Sequence, residues 1–290
     1  MNSRRAFLHG AIAGSAAIAV GGVRAAAPVA EDVRNAPSSR LRIAHLTDPQ
    51  FGFGPRFKTA AENYREDLAR FEKAIEKVNA LKVDLALVTG DMTHKAEDLA
   101  KDWPRLVKAF EVPLLVAPGN HDLGNGNNAT REGLDRFRSV FGYDRKAIDV
   151  RGWRVIAGNT LFFRTKELTD EKAAYEAWLK DELKKAKKYK GRAIIAGHHP
   201  PFAERWNERE TYENFPRKLR DERLRMYRHA NVKFFLAGHT HRFTARAYGE
   251  LTILNPETTS RNFDARHRGF RLFEVGADMD YSYRYISVRA

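Results

Sequence analysis

Five times along the chain a short apolar run stops at polar residues: "LRIAHLTDPQ" from Leu41, "LALVTGDMTH" from Leu85, "LLVAPGNHD" from Leu114, "AIIAGHHP" from Ala193 and "FFLAGHTH" from Phe234. Runs of this kind, without strict polar alternation, predict strands buried on both faces, as in a sheet covered by helices. The polar tips at Asp48, Asp91, Asn120, His198 and His239 are 43, 29, 78 and 41 residues apart. Each interval leaves room for a crossover helix. Tyr64, Leu68, Phe71, Ile75 and Val78 recur at helical steps in the first interval, and Leu99, Leu106, Val107 and Phe110 do so less regularly in the second. A third helix is predicted from Leu168, Tyr175, Trp178, Leu179 and Leu183, with Asp170 and Glu171 in its first turn and Gly191 capping its basic end. Further strands are expected at Trp153–Ala157, Leu251–Leu254, Phe270–Val275 and Tyr281–Ile286. Parallel strands alternating with helices bring their carboxyl ends to one edge, where such sheets bind ligands. The five polar tips are therefore expected to converge.

Residues 1–27 stand apart from this pattern. Ser3-Arg4-Arg5-Ala6-Phe7-Leu8 precedes a weakly apolar stretch, and the segment reads as a twin-arginine signal that directs the chain through the twin-arginine export machinery to the periplasm or beyond. As a membrane span, Ala6 to Val23 is short and is interrupted by four glycines and His9. Residues 28–40 then form a linker and 41–290 a single domain, long enough for one large core and without an internal repeat. The absence of cysteine excludes disulfides, thiolate ligands, a cysteine nucleophile and a lipid anchor of the lipoprotein kind. The formal charge of +14 becomes +11 without the signal, which favours anionic partners: phosphate esters, nucleic acid or membrane headgroups. Because the positive residues are dispersed, and the densest run, Lys184 to Arg192, reads as a solvated helix end, no stable nucleic-acid or membrane partner is expected.

What collects at the tips is two aspartates, a glutamine, an asparagine and several histidines. Asp48-Pro49 alone could be a turn. Five such tips in order instead make an inventory suited to hard or borderline divalent cations such as manganese, iron, zinc or cobalt. The set resembles the calcineurin-like metallophosphoesterase family, whose motifs run Asp-x-His, Gly-Asp, Gly-Asn-His, Gly-His and Gly-His-x-His. The likeness spans Leu41 to about Val275 and is complete at Gly90-Asp91, Gly119-Asn120-His121, Gly197-His198 and Gly238-His239-Thr240-His241. It departs at Gln50, where most members carry histidine. Asp-Pro-Gln-Phe-Gly is similar to a branch of calcineurin-like phosphoesterase-domain proteins that includes protein phosphatases.

The resemblance implies an α/β fold, a four-layer αββα sandwich of two mixed sheets flanked by helices, holding two divalent metal ions. By motif, Asp91 bridges them; Asp48, His241 and Gln50 serve the first, and Asn120, His198 and His239 the second. His121 remains as a catalytic proton donor, with Asp122 either orienting it or forming a turn. The implied reaction is metal-bridged hydroxide attack on a phosphate monoester, small molecule or phosphoprotein. Two aspartates and a hydroxide leave two divalent cations with about one surplus positive charge to attract a dianion. Hydrolysis of cyclic nucleotides or other diesters, and non-catalytic binding of phosphate or nucleic acid, remain as alternatives. Of the other polar residues, His45 is expected to be a core histidine and His199 to shape its loop. His94 and Arg242 lie close enough in sequence to the tips to reach substrate, Asn159 after "RVIAG" is another strand-end candidate, and Glu204 to Arg228, with Trp206, Tyr212 and Phe215, is expected to form a substrate-facing rim.

Overall fold

The computed structural model describes residues 40–55, 58–126 and 128–288; the expected signal at 1–27 and the linker up to residue 39 lie outside them. In chain order the first elements are β1 (Leu41–Leu46), α1 (Ala60–Leu81), β2 (Leu85–Thr89), α2 (Leu99–Ala109), β3 (Leu114–Ala117) and the single turn α3 (Asn120–Leu123). A small hairpin, β4 (Gly124–Asn125) and β5 (Asn128–Ala129), leads into α4 (Arg131–Phe141). There follow β6 (Lys146–Val150), β7 (Trp153–Ala157), α5 (Thr169–Ala186), β8 (Ala193–Ala196), α6 (Arg217–His229) and β9 (Phe234–Leu236). The chain then runs through β10 (Thr244–Tyr248), β11 (Leu251–Asn255), β12 (Gly269–Val275) and β13 (Tyr281–Ser287). No helix among the described residues is long and apolar enough to cross a membrane.

The strands build two mixed sheets, ordered β13-β12-β1-β2-β3 and β10-β11-β9-β8-β7-β6. Each has a parallel centre, β1-β2-β3 and β11-β9-β8-β7, extended by antiparallel strands. The apolar runs explain the layering, since alternate residues of one strand enter different cores. Ile43, Leu85, Leu87 and Leu115 meet Trp153, Val155, Ile194, Phe234 and Leu236 between the sheets. Ala44, Leu46, Val88 and Val116 point outward to Phe71, Ile75 and Val78 of α1 and Trp103 and Leu106 of α2, while Ile156, Ile195, Phe235 and Ile253 share the apolar layer of Tyr175 and Leu179 of α5 and Leu224 and Tyr227 of α6. The result is the four-layer αββα sandwich. Each large side chain so buried contributes about 1.5–3 kcal/mol.

Helix ends follow local chemistry. Thr59 opens α1 with a capping box: its hydroxyl accepts from the Glu62 amide at 3.2 Å, and the Glu62 carboxylate accepts from the Thr59 amide at 2.8 Å. Leu168, expected inside the third helix, is instead the residue before α5, in left-handed backbone at φ 56°. The basic end of α5 continues into a 3-10 turn at Lys187–Tyr189. Lys185 there pairs with Asp181 at 2.6 Å, so part of the basic run is satisfied on its own helix.

Candidate metal centre

The tips of β1, β2, β8 and β9 and the start of α3 meet at one edge of the sandwich. Their loops are zipped together, with the Asp48 amide donating to the Gly90 carbonyl at 3.0 Å, Gln50 to Asp91 at 2.8 Å and Gly238 to His198 at 2.8 Å. Asp48, Gln50, Asp91, His239 and His241 all have left-handed backbone, with φ of 46°, 37°, 53°, 70° and 51°. For a residue with a Cβ this costs about 1 kcal/mol or more, and it persists where the surroundings over-determine it. Glycine is required beside them: a Cβ on Gly90, φ 93°, would lie 2.4 Å from His198 Nδ1, and one on Gly119 would lie 2.2 Å from the Asp91 amide nitrogen and Oδ1.

The side chains turn inward from these strained tips. One ligand atom from each of Asp91, His198 and His239 lies within 4.8 Å of the others, and all three residues are buried. His198 Nδ1 meets the Thr89 carbonyl at 2.8 Å, and His239 Nε2 meets the Tyr212 carbonyl at 3.3 Å. A carbonyl only accepts, so each neutral ring places its proton there and presents a lone pair inward. Those inward nitrogens, His198 Nε2 and His239 Nδ1, face each other at 3.0 Å, and Asn120 Oδ1 is 3.0 Å from the first. His241 repeats the logic: Nδ1 meets the Arg261 carbonyl at 2.5 Å, and Nε2 faces Asp48 Oδ1 at 3.3 Å.

Lone pairs converging in a buried space call for a cation. Two further oxygens repeat that demand, because Asp48 Oδ1 and Gln50 Oε1 are buried without a hydrogen-bond partner. Asp48 Oδ2, by contrast, accepts from Thr47 Oγ1 at 2.6 Å and the His239 amide at 2.9 Å. Without a cation, a proton takes its place among these groups. Burial alone would lower His198, yet the Asp91 and Asp48 carboxylates raise it to about 9. Burial alone would raise Asp91, yet His198 and His121 hold it well below the usual carboxylate range. His239 is pushed down to about 3 by burial and by His198. The oxygen and nitrogen donors present fit a divalent cation.

The family model described as calcineurin-like phosphoesterase matches residues 41–243. The chain belongs to this family. It is a metallophosphoesterase, a phosphoric ester hydrolase whose family implies divalent metals. The serine/threonine-protein phosphatase CPPED1 of Homo sapiens is 26% identical over 249 residues, covering 80% of this chain and 79% of that one. A probable cyclic nucleotide phosphodiesterase of Vesicomyosocius okutanii is 25% identical over 209 residues, covering 70% of this chain and 82% of that one. The solved structure of a dimetal phosphatase from Danio rerio has a TM-score of 0.59 at 13% identity, covering 86% of this chain and 96% of that chain, a likeness of fold.

Around the centre of the phosphoesterase, other residues fall differently from expectation. The His121 amide donates to Asp91 Oδ1 at 2.9 Å, and its ring stacks on His94, with centroids 4.9 Å apart. Asp122 does not orient that ring. Its two oxygens accept from the Met92 and Gly119 amides, both at 2.7 Å, while the backbone carbonyl of His94 holds His121 Nδ1 at 2.8 Å. Of the two roles expected for Asp122, orienting His121 or forming a turn, these contacts are those of a turn residue that staples the loop. Burial, with Asp91 adding, pushes its carboxyl up to about 8.

Asn159 also turns away, donating to Asp144 at 3.3 Å and accepting from the Leu161 amide at 3.2 Å. Arg242 is paired with Glu213 at 3.2 Å. His45 is a core histidine bonded to Tyr283 at 2.7 Å and Thr89 at 3.0 Å, and burial lowers it to about 3. His199 lies behind the centre, its amide donating to Thr160 at 3.0 Å. The expected rim divides in two: residues 204–216 reach the centre through Tyr212, whereas α6 packs Leu224 and Tyr227 into the core. Phe53 and Phe263, not singled out from the sequence, flank His241 at 5.4 and 4.7 Å. The carbonyls of Thr89, His94 and Arg261 carry no side-chain signal at all.

Proposed function

We propose that the phosphoesterase hydrolyses phosphate monoesters at a centre that holds two divalent cations. The observation that carries this is the meeting of Asp48, Asp91 and four ring or amide donors at one edge, with Asp48 Oδ1 and Gln50 Oε1 buried and unpartnered. Asp48, Gln50 and His241 would hold one cation, Asn120, His198 and His239 the other, with Asp91 shared. Divalent cations bound there supply Lewis acidity toward phosphoryl oxygens and an activated water. No serine or cysteine nucleophile is then needed, because phosphoryl transfer rests mainly on positioning and charge stabilisation.

The chain's own residues do the rest. Nδ1–H of His121 donates to the His94 carbonyl, so the ring can pass a proton from Nε2 to the departing alkoxide only in its doubly protonated form, returning to the neutral Nδ1–H tautomer that the carbonyl holds. Asp122 fixes the Gly119 and Met92 amides, and with them the geometry between Asp91 and His121. The relative named as a serine/threonine-protein phosphatase supports a monoester on a protein or a small molecule. The relative named as a probable cyclic nucleotide phosphodiesterase favours a second reading, diester hydrolysis on the same centre. Paired assays of metal-loaded protein with an aryl phosphate and a bis-aryl phosphate separate the two. Faster turnover of the monoester is expected. The reverse order would establish the diester reading, and no turnover of either would leave a phosphate-binding protein.

A further inference from the structure

The loop between β8 and α6 carries one tyrosine over the centre, and its hydroxyl has chemistry to spare. Tyr212 is half exposed, with 49% of its surface open, and its ring lies 4.5 Å from that of His239. Its backbone carbonyl takes the His239 Nε2 proton at 3.3 Å. Its hydroxyl oxygen accepts from Asn120 Nδ2 at 3.3 Å, which turns Asn120 Oδ1 toward His198 Nε2 at 3.0 Å. An amide nitrogen can only donate, so the phenolic proton is left over. A phenol keeps that proton at neutral pH.

The loop is braced as a part that holds a position. The Glu208 carboxylate accepts from the amides of Ala203 and Glu204 at 2.8 Å and of Arg205 at 3.0 Å. Arg220, fully buried, donates to the carbonyls of Trp206, Glu208 and Phe215 at 3.1, 2.8 and 3.1 Å. Arg164 reaches the Asn214 carbonyl from the other side. A tyrosine needed only to fill space would not call for a buried guanidinium group to fix its loop.

We propose that Tyr212 is a substrate-contacting residue: its O–H donates to a non-bridging oxygen of the phosphoryl group at the centre, while its oxygen keeps accepting from Asn120. The loop at residues 203–216 sets the distance. This rests on the metal-centre reading above. It extends that reading to a side chain outside the five strand-end motifs.

The test is Tyr212→Phe, which keeps the ring and the backbone carbonyl and removes only the hydroxyl. On metal-loaded, full-length protein, inorganic phosphate is titrated at equilibrium, bound metal is measured by elemental analysis, and kcat/KM is measured with an aryl phosphate. Phosphate affinity and kcat/KM are each expected to fall about 10- to 100-fold, as for loss of one hydrogen bond to a charged group, with metal content unchanged. Wild-type phosphate affinity in the variant would overturn the proposal. So would loss of metal, which would show that the hydroxyl acts through Asn120. If the wild type binds phosphate but hydrolyses no ester, the hydrolytic reading fails, while the phosphate titration still decides the role of Tyr212.

Discussion

Gln50 occupies left-handed backbone at φ 37°, is 2% exposed and has an unpartnered Oε1. A buried carboxamide oxygen without a donor costs about 1–3 kcal/mol, a cost that a cation would remove. Oxygen is a weaker donor than imidazole nitrogen to borderline metals and suits manganese. Gln50→His is accordingly expected to tighten one cation site about tenfold or more for zinc, with a smaller gain for manganese, in equilibrium dialysis. Equal affinities would mean that Gln50 serves the turn or the substrate. His121 and Asp122, adjacent in sequence, should separate cleanly. His121→Ala is expected to lower kcat by about 10² to 10⁴ with metal content intact. Asp122→Ala strips two buried amides of their acceptor and should cost about 2 kcal/mol, roughly 4–8 °C in Tm by thermal melt. A wild-type Tm in the second variant would contradict the staple role. The motif residues were legible because each ends an apolar run. The carbonyls that fix His121, His198 and His241 were not, since any residue has one.

At the level of elements, the parallel strands could be read because burial on both faces leaves an uninterrupted apolar run. β6 and β10 could not: β6 buries only Ile148 and Val150 and β10 only Thr244, and Lys146, Asp149 and Arg246 interrupt them. The arginines of α6 hid a helix whose Arg220 and Arg223 are buried by virtue of their hydrogen bonds. Ion pairs tie α4 to the start of α5, where Glu171 takes Arg138 and Arg131 at 2.7 Å. Hydrogen bonding from Arg138 lowers the Glu171 carboxyl from 4.5 to about 2. A depressed acid contributes stability above its unfolded value and loses it as pH falls, here between 4.5 and 2. Glu171→Gln should cost about 1 kcal/mol at pH 7, since the arginines are partly solvated. Melts of both proteins should converge toward pH 2, and a gap that widens on acidification would refute the pairing.

Across the whole molecule, two sheets with parallel centres place five loop tips on one edge, and that convergence turns weak local motifs into a site. Alternation between apolar and helical segments indicated parallel strands and a shared edge, while the split into two sheets was implied only by the family resemblance. Export is a separate proposal resting on Arg4 and Arg5. Replacing both with lysine should trap precursor in the cytoplasm, and an unchanged periplasmic yield on immunoblotting would defeat it. The central claim is tested most directly by metal content and aryl phosphate turnover in the same preparations of wild type and Asp91→Asn. The wild type should carry about two divalent ions per chain and turn over the ester, while Asp91→Asn should lose metal and at least about 10²-fold in kcat. Wild-type turnover by Asp91→Asn, or by wild type stripped of metal, would contradict the account.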